Sequence, residues 1–150
     1  VLGPTANWRG KVWPAERFVA LARALLAGPM AGARVAVLAG PGAEERALAA
    51  PVLAALPQAV DLAGRVTLPE AASVLAQAAL FVGNDSGLMH LAAAAGAPTL
   101  GLFGPTPSAE YAPAGPRAAV AVAPGARMED LSVDAALAAA TGLIGLARAA

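Results

Sequence analysis

Residues 79–96 read Ala-Leu-Phe-Val-Gly-Asn-Asp-Ser-Gly-Leu-Met-His-Leu-Ala-Ala-Ala-Ala-Gly, a strand running straight into a helix. Ala79 to Val82 is a short apolar run of strand length. Asn84-Asp85-Ser86 then supplies the side chains that favour a helix N-terminus. The helix spans Gly87 to Ala95, and Gly96 suits the position just past its end. The same strand, polar loop and helix recur on both sides of this unit, and that repetition decides the fold.

Toward the N-terminus, Val1 and Leu2 read as the end of a first strand, followed by a loop from Gly3 to Gly10. Pro14 opens a helix, a position proline tolerates well, with Phe18, Leu21, Leu25 and Leu26 at helical spacing. Gly28-Pro29 ends it. Arg34 to Ala39 is a second strand, Gly40-Pro41-Gly42 a loop, and Glu44 and Glu45 stand at the positive end of a helix running to about Leu56. Pro51 is expected to kink or break that helix. Ala59 to Leu62 is a third strand, Gly64 to Leu68 a loop, and Pro69 to Gln77 a helix. Toward the C-terminus, Pro98 to Phe103 is a strand, Gly104 to Pro116 a Gly/Pro-rich loop, and Ala118 to Val122 a last strand. Ser132 caps a final helix. About six strands alternating with about five helices predict an α/β fold, a three-layer doubly wound parallel sheet of Rossmann-like type.

Composition narrows the chemistry. The chain has 150 residues and no net charge, so one domain with a real core is expected. There is no Cys, and the single His and single Lys are His90 and Lys11. Disulfide scaffolds, thiolate metal sites, Cys nucleophiles and His clusters are excluded. Basic residues scattered singly argue against nucleic acid as the partner. Hydrophobic residues make up 58% of the chain, but Ala supplies 44 positions. No run of about 18 strongly apolar residues exists, so no transmembrane segment is expected. No signal peptide pattern opens the chain. Val1 falls inside a strand and is not Met, which reads as a fragment of a longer protein.

In a doubly wound sheet, ligands sit beyond the carboxyl ends of the strands. Three loops there carry polar groups. In Gly83 to His90, a helix N-terminus offers free amides and a positive dipole end to a phosphate. Ser86 can add a hydroxyl, Gly87 permits close backbone approach, and His90 lies one turn further in. The alternative is that Asp85 or Ser86 only caps the helix and His90 satisfies a neighbour. Thr5-Ala6-Asn7-Trp8-Arg9-Gly10-Lys11 is the second loop, where Lys11 either neutralises a phosphate or is a solvated surface lysine. The third is Gly40 to Glu45, whose carboxylates either accept a ribose hydroxyl or complement the helix dipole in water. No G-x-G-x-x-G follows the first strand, and neither a P-loop nor a G-x-S-x-G elbow occurs.

Taken in order, three pieces resemble the C-terminal domain of the heptosyltransferases, glycosyltransferase family nine. They are Lys11-Val12-Trp13-Pro14-Ala15-Glu16-Arg17-Phe18, Gly40-Pro41-Gly42-Ala43-Glu44, and Asn84 through Ala94 running on to Gly96-Ala97-Pro98-Thr99 and Phe103-Gly104-Pro105-Thr106. The resemblance implies the donor-binding half of a two-domain GT-B enzyme, with residues 1–150 as the nucleotide-sugar-binding domain and the N-terminal acceptor domain absent. It implies transfer of a heptose from ADP-heptose to the lipopolysaccharide core, without a metal or other cofactor. Other nucleotide sugars on the same architecture, or a non-catalytic nucleotide-binding module, are the alternatives.

Carried onto this sequence, the resemblance places Lys11 on the diphosphate, where it helps the leaving group. It places the amides of Ser86 and Gly87 on phosphate, Asp85 and His90 along the sugar and phosphate, Glu44 on ribose, and the backbone near Val66 beside the base. Thr5 and Asn7 complete the expected nucleotide-sugar site, although Ala6 and Asn7 stand where family members often carry Thr. The general base is a carboxylate expected on the absent domain, so the fragment alone is expected to bind nucleotide without efficient transfer. A cytoplasmic enzyme, peripheral at the inner membrane of a Gram-negative bacterium, is the implied setting.

Overall fold

In the computed structural model, which describes residues 1–149, each short apolar run becomes a strand of one sheet. The strands are β1 (Leu2–Gly3), β2 (Ala36–Val37), β3 (Val60–Asp61), β4 (Phe81–Asn84), β5 (Thr99–Phe103) and β6 (Ala118–Val122). The helices are α1 (Ala15–Ala27), α2 (Ala43–Ala55), α3 (Leu68–Ala76), α4 (Gly87–Ala94), α5 (Ser108–Tyr111) and α6 (Val133–Ala149). Short 3-10 turns form at Arg9–Lys11 and Met128–Asp130. All pairings are parallel, in the order β3-β2-β1-β4-β5-β6. The expected doubly wound sheet is therefore present. Backbone bonds such as Leu38 N–H to Leu2 O (2.9 Å) and Gly64 N–H to Ala39 O (3.0 Å) carry the pairing past the short regular strands.

Alternation along the strands splits the core into two layers. Leu2, Val37, Val82, Leu100 and Leu102 face α1, α2 and α6. Leu38, Phe81 and Phe103 face α3 and α4, with Leu75 and Met89. Three glycines lie side by side across this second face, since Gly3 pairs with Gly83 and Gly83 with Gly101. Aromatic and thioether groups occupy the room their missing Cβ atoms leave. A Cβ at Gly83 would stand 2.6 Å from the Phe81 ring and 3.0 Å from the Gly3 carbonyl oxygen, and one at Gly101 2.6 Å from Met89 Sδ. Gly83→Ala is expected to destabilise the domain by about 1–3 kcal/mol, the usual range for overpacking. A denaturant midpoint unchanged from wild type would show that Phe81 moves aside freely.

Two details differ from the simplest expectation. Of the kink or break expected at Pro51, the break does not occur, and α2 runs on through it. Pro51 is exposed, and the fully buried Val52 one residue on anchors the last turn against the core, outweighing the lost backbone bond. The Gly104–Pro116 loop also contains the one-turn helix α5, started after Pro107 by Ser-Ala-Glu-Tyr. At the start of α3, Glu70 accepts hydrogen bonds from the Thr67 N–H (2.7 Å) and hydroxyl (2.8 Å). These two donors hold the Glu70 carboxyl below the ordinary glutamate range.

Candidate functional site

The strand order reverses direction between β1 and β4, so the loops leaving these neighbours diverge and open a crevice. A cleft of about 820 Å³ lies there. Thr5, Asn7, Lys11, Asp85, Ser86, Gly87 and His90 all line it, together with Glu45 and Leu68. Seven of the nine residues singled out in the sequence thus meet in one place, although they come from loops 74 residues apart in the case of Lys11 and Asp85.

The β4–α4 turn does not spend its polar groups on its own helix. Ser86 occupies the N-cap position in extended conformation, yet its side chain makes no capping bond. Its Oγ is buried and has no hydrogen-bond partner within the described residues. Asp85 is turned away from the helix. Its Oδ2 accepts from Lys11 Nζ at 3.2 Å and from Thr106 Oγ1 at 2.9 Å. The helical geometry leaves the amides at the start of α4 without intrahelical acceptors. A Cβ at Gly87 would meet nothing within 4 Å, so the glycine leaves the approach to those amides open. Capping as the sole purpose of this turn is therefore not what the fold displays; a helix N-terminus lines an open cleft, with the buried, unpartnered Ser86 hydroxyl beside it.

Lys11 is not a solvated surface lysine. Its side chain is only 14% exposed and its partner Asp85 only 7%. What aims it is the residue two positions on. Trp13 is fully buried, its backbone N–H donates to Asn84 Oδ1 at 3.0 Å, and its indole Nε1 donates to the Leu131 carbonyl at 2.9 Å. The Arg17 guanidinium donates to the same carbonyl. The indole also packs edge-on against Phe18, with ring centres 5.1 Å apart. Trp13 therefore ties the Lys11 loop to β4 on one side and to the entry of α6 on the other. The preceding 3-10 turn, closed by Lys11 N–H to Trp8 O (3.0 Å), brings the ammonium round into the cleft. Trp8 itself remains 54% exposed on the outside of this turn.

Two expected residues stand elsewhere. Glu44 is outside the cleft lining, in an exposed pair with Arg9 at 3.2 Å. Its neighbour Glu45 lines the cleft, with its carboxylate over Gly40 and Gly42. Val66 is half-buried against the second apolar layer, and Leu68, two residues on and 68% exposed, reaches the cleft. Sequence reasoning offered both carboxylates of the Gly40–Glu45 loop and settled on Glu44 rather than Glu45; it missed Leu68 and Thr106. Of these two, only Thr106 had a signal, its place in the Phe-Gly-Pro-Thr stretch. Among the described residues no group of three or more His, Asp or Glu comes together in a metal-binding arrangement.

Known proteins resemble this chain over most of its length. Residues 1–138 match glycosyltransferase family 9 (heptosyltransferase). The chain is 36% identical over 108 residues to lipopolysaccharide heptosyltransferase 3 of Escherichia coli, covering 71% of this chain and 31% of that protein. It is 37% identical over 108 residues to lipooligosaccharide heptosyltransferase 2 of Haemophilus influenzae, covering 69% and 30%. Among solved structures, Escherichia coli heptosyltransferase WaaC with ADP superimposes with TM-score 0.78 at 28% identity, over 89% of this chain and 41% of that one. Escherichia coli ADP-heptose lps heptosyltransferase II gives TM-score 0.84 at 26% identity, over 99% and 46%. The chain thus spans under half the length of these relatives. Its motifs, its strand order and its match over residues 1–138 place the chain in glycosyltransferase family 9, the heptosyltransferase family.

Proposed function

We propose that residues 1–150 form the C-terminal, donor-binding domain of a heptosyltransferase that uses ADP-heptose to extend a lipopolysaccharide core. The observation carrying this reading is the convergence of one lysine ammonium, one unpartnered serine hydroxyl and one helix N-terminus on a single cleft. Those groups suit a diphosphate. Related structures were solved with ADP and with ADP-2-deoxy-2-fluoro heptose, which supports the choice of nucleotide and sugar.

In this reading the helix amides near Ser86 and Gly87 and the Ser86 hydroxyl bind the diphosphate. Asp85 and His90 flank the sugar, and Thr5 and Asn7 the first-loop side. The ribose role moves from Glu44 to Glu45, the carboxylate that lines the cleft. The backbone between Val66 and Leu68 borders the base. An acceptor hydroxyl, deprotonated by a carboxylate of a second domain, attacks the anomeric carbon and expels ADP with inversion. Lys11 and the amides stabilise the charge gathering on the departing diphosphate, so the step needs no metal ion. Such preorganised donors are worth about 3–4 kcal/mol each. No helix among the described residues is long and apolar enough to cross a membrane. The reading sets the enzyme at the cytoplasmic side of the inner membrane, where its acceptor is anchored.

The test is thermal. Ligand at about 100 times its Kd stabilises a fold by about 2.7 kcal/mol, and about 2–4 °C accompany each kcal/mol at this size. ADP should therefore raise the melting temperature by roughly 5–10 °C, equally with EDTA present, and GDP and UDP should raise it less. No response to ADP would sink the nucleotide site; a response abolished by EDTA would sink the metal-free step.

A further inference from the structure

We propose that Thr106 is a positioning residue for Lys11, acting through Asp85. The inference rests on the nucleotide reading above but concerns a residue that the reading does not use. Thr106 leaves the sheet after β5, Asp85 after β4 and Lys11 after β1, so one carboxylate ties three loops across the switch point. Both donors meet the same oxygen, Asp85 Oδ2, with Lys11 Nζ at 3.2 Å and Thr106 Oγ1 at 2.9 Å. Asp85 is only 5% exposed.

A carboxylate so deeply placed needs donors whatever Lys11 is doing. When a diphosphate enters the cleft, it competes with Asp85 for the Lys11 ammonium. The Thr106 hydroxyl is a donor that does not leave with the lysine. It keeps Asp85 in place and hydrogen-bonded while Lys11 turns to the phosphates, which lowers the cost of that transfer. In the empty cleft the same bond fixes the carboxylate's orientation, and through it the resting position of the ammonium. A valine of nearly the same shape would fill the space and do neither.

Lys11 is the only lysine in the chain, so selective 15N,13C-lysine labelling yields one side-chain signal that reads its environment directly. In the ADP-free protein, Thr106→Val is expected to shift this signal, and Thr106→Ser, which retains the hydroxyl, to restore it. In ADP titrations Thr106→Val should weaken binding roughly three- to tenfold, within the range for the net effect of one ordinary hydrogen bond, and Thr106→Ser should bind as wild type. If Thr106 acts through Asp85, the valine's effect on ADP affinity must vanish in an Asp85→Ala background. A lysine signal indifferent to Thr106→Val, equal ADP affinity in wild type and Thr106→Val, or a loss of the same size without Asp85 each overturns the proposal. A wild-type protein that ignores ADP overturns the nucleotide reading instead, and the lysine signal still decides the part played by Thr106.

Discussion

Trp13→Ala should cost about 3–5 kcal/mol of stability, the range for truncating a fully buried indole, and lower the melting temperature by roughly 6–20 °C. The ring is wholly enclosed in the apolar layer between the sheet and α1, α2 and α6, and leaves a void too walled-in to close. The indole N–H bond to Leu131 goes with it. Trp13→Phe retains most of the volume but not that bond, so it should fall between the two. Thermal unfolding followed by far-UV circular dichroism checks the series. A loss of only a degree or two in Trp13→Ala would mean that the loop is held by other contacts. The same variant should bind ADP more weakly even where it is folded, because the Lys11 loop keeps its backbone bond to Asn84 but has lost the indole's packing and its tie to Leu131.

The second large effect concerns chemistry. In the full-length enzyme, Lys11→Met is expected to lower kcat by about 100- to 1000-fold, as does removal of one well-placed transition-state donor elsewhere. The charge on the leaving diphosphate grows as the glycosidic bond breaks, so the ammonium acts more strongly on the transition state than on bound donor. The fall in kcat/KM should therefore match the fall in kcat, with KM little altered. Steady-state rates of heptose transfer measure both. A rise in KM at constant kcat would make Lys11 a binding residue only. Lys11→Arg restores charge but not the compact shape that fits beside Asp85, and should recover activity in part.

The strand-to-helix units were legible because each carries its own punctuation. Asn84-Asp85-Ser86 before an apolar helix and Gly96 after it are local signals, and the structure follows them. Parallel pairing then assembled the cleft from loops whose identity as ligand-side loops follows from topology alone. What the sequence left open depends on direction and distance. Glu44 and Glu45 are chemically alike, and only the helical phase, about 100° per residue, turns one to Arg9 and the other to the cleft. Trp13 sits amid ligand-loop residues and looks like one of them; its burial is decided by Leu131, 118 residues away. Thr106 meets Asp85 across 21 residues, a pairing no local pattern announces. Pro51 does not break its helix because Val52, buried one residue on, holds the turn after it.

The chain's two tryptophans lie five residues apart in opposite surroundings, Trp8 exposed at the outside of the Lys11 turn and Trp13 sealed in the core. The emission of the protein is accordingly a sum of two separable parts. Iodide is expected to quench the exposed Trp8 and not the enclosed Trp13. A ligand that moves the Lys11 turn is expected to perturb the first, while unfolding of the core should change the second. Binding and melting can thus be followed by the protein's own light, without an added dye.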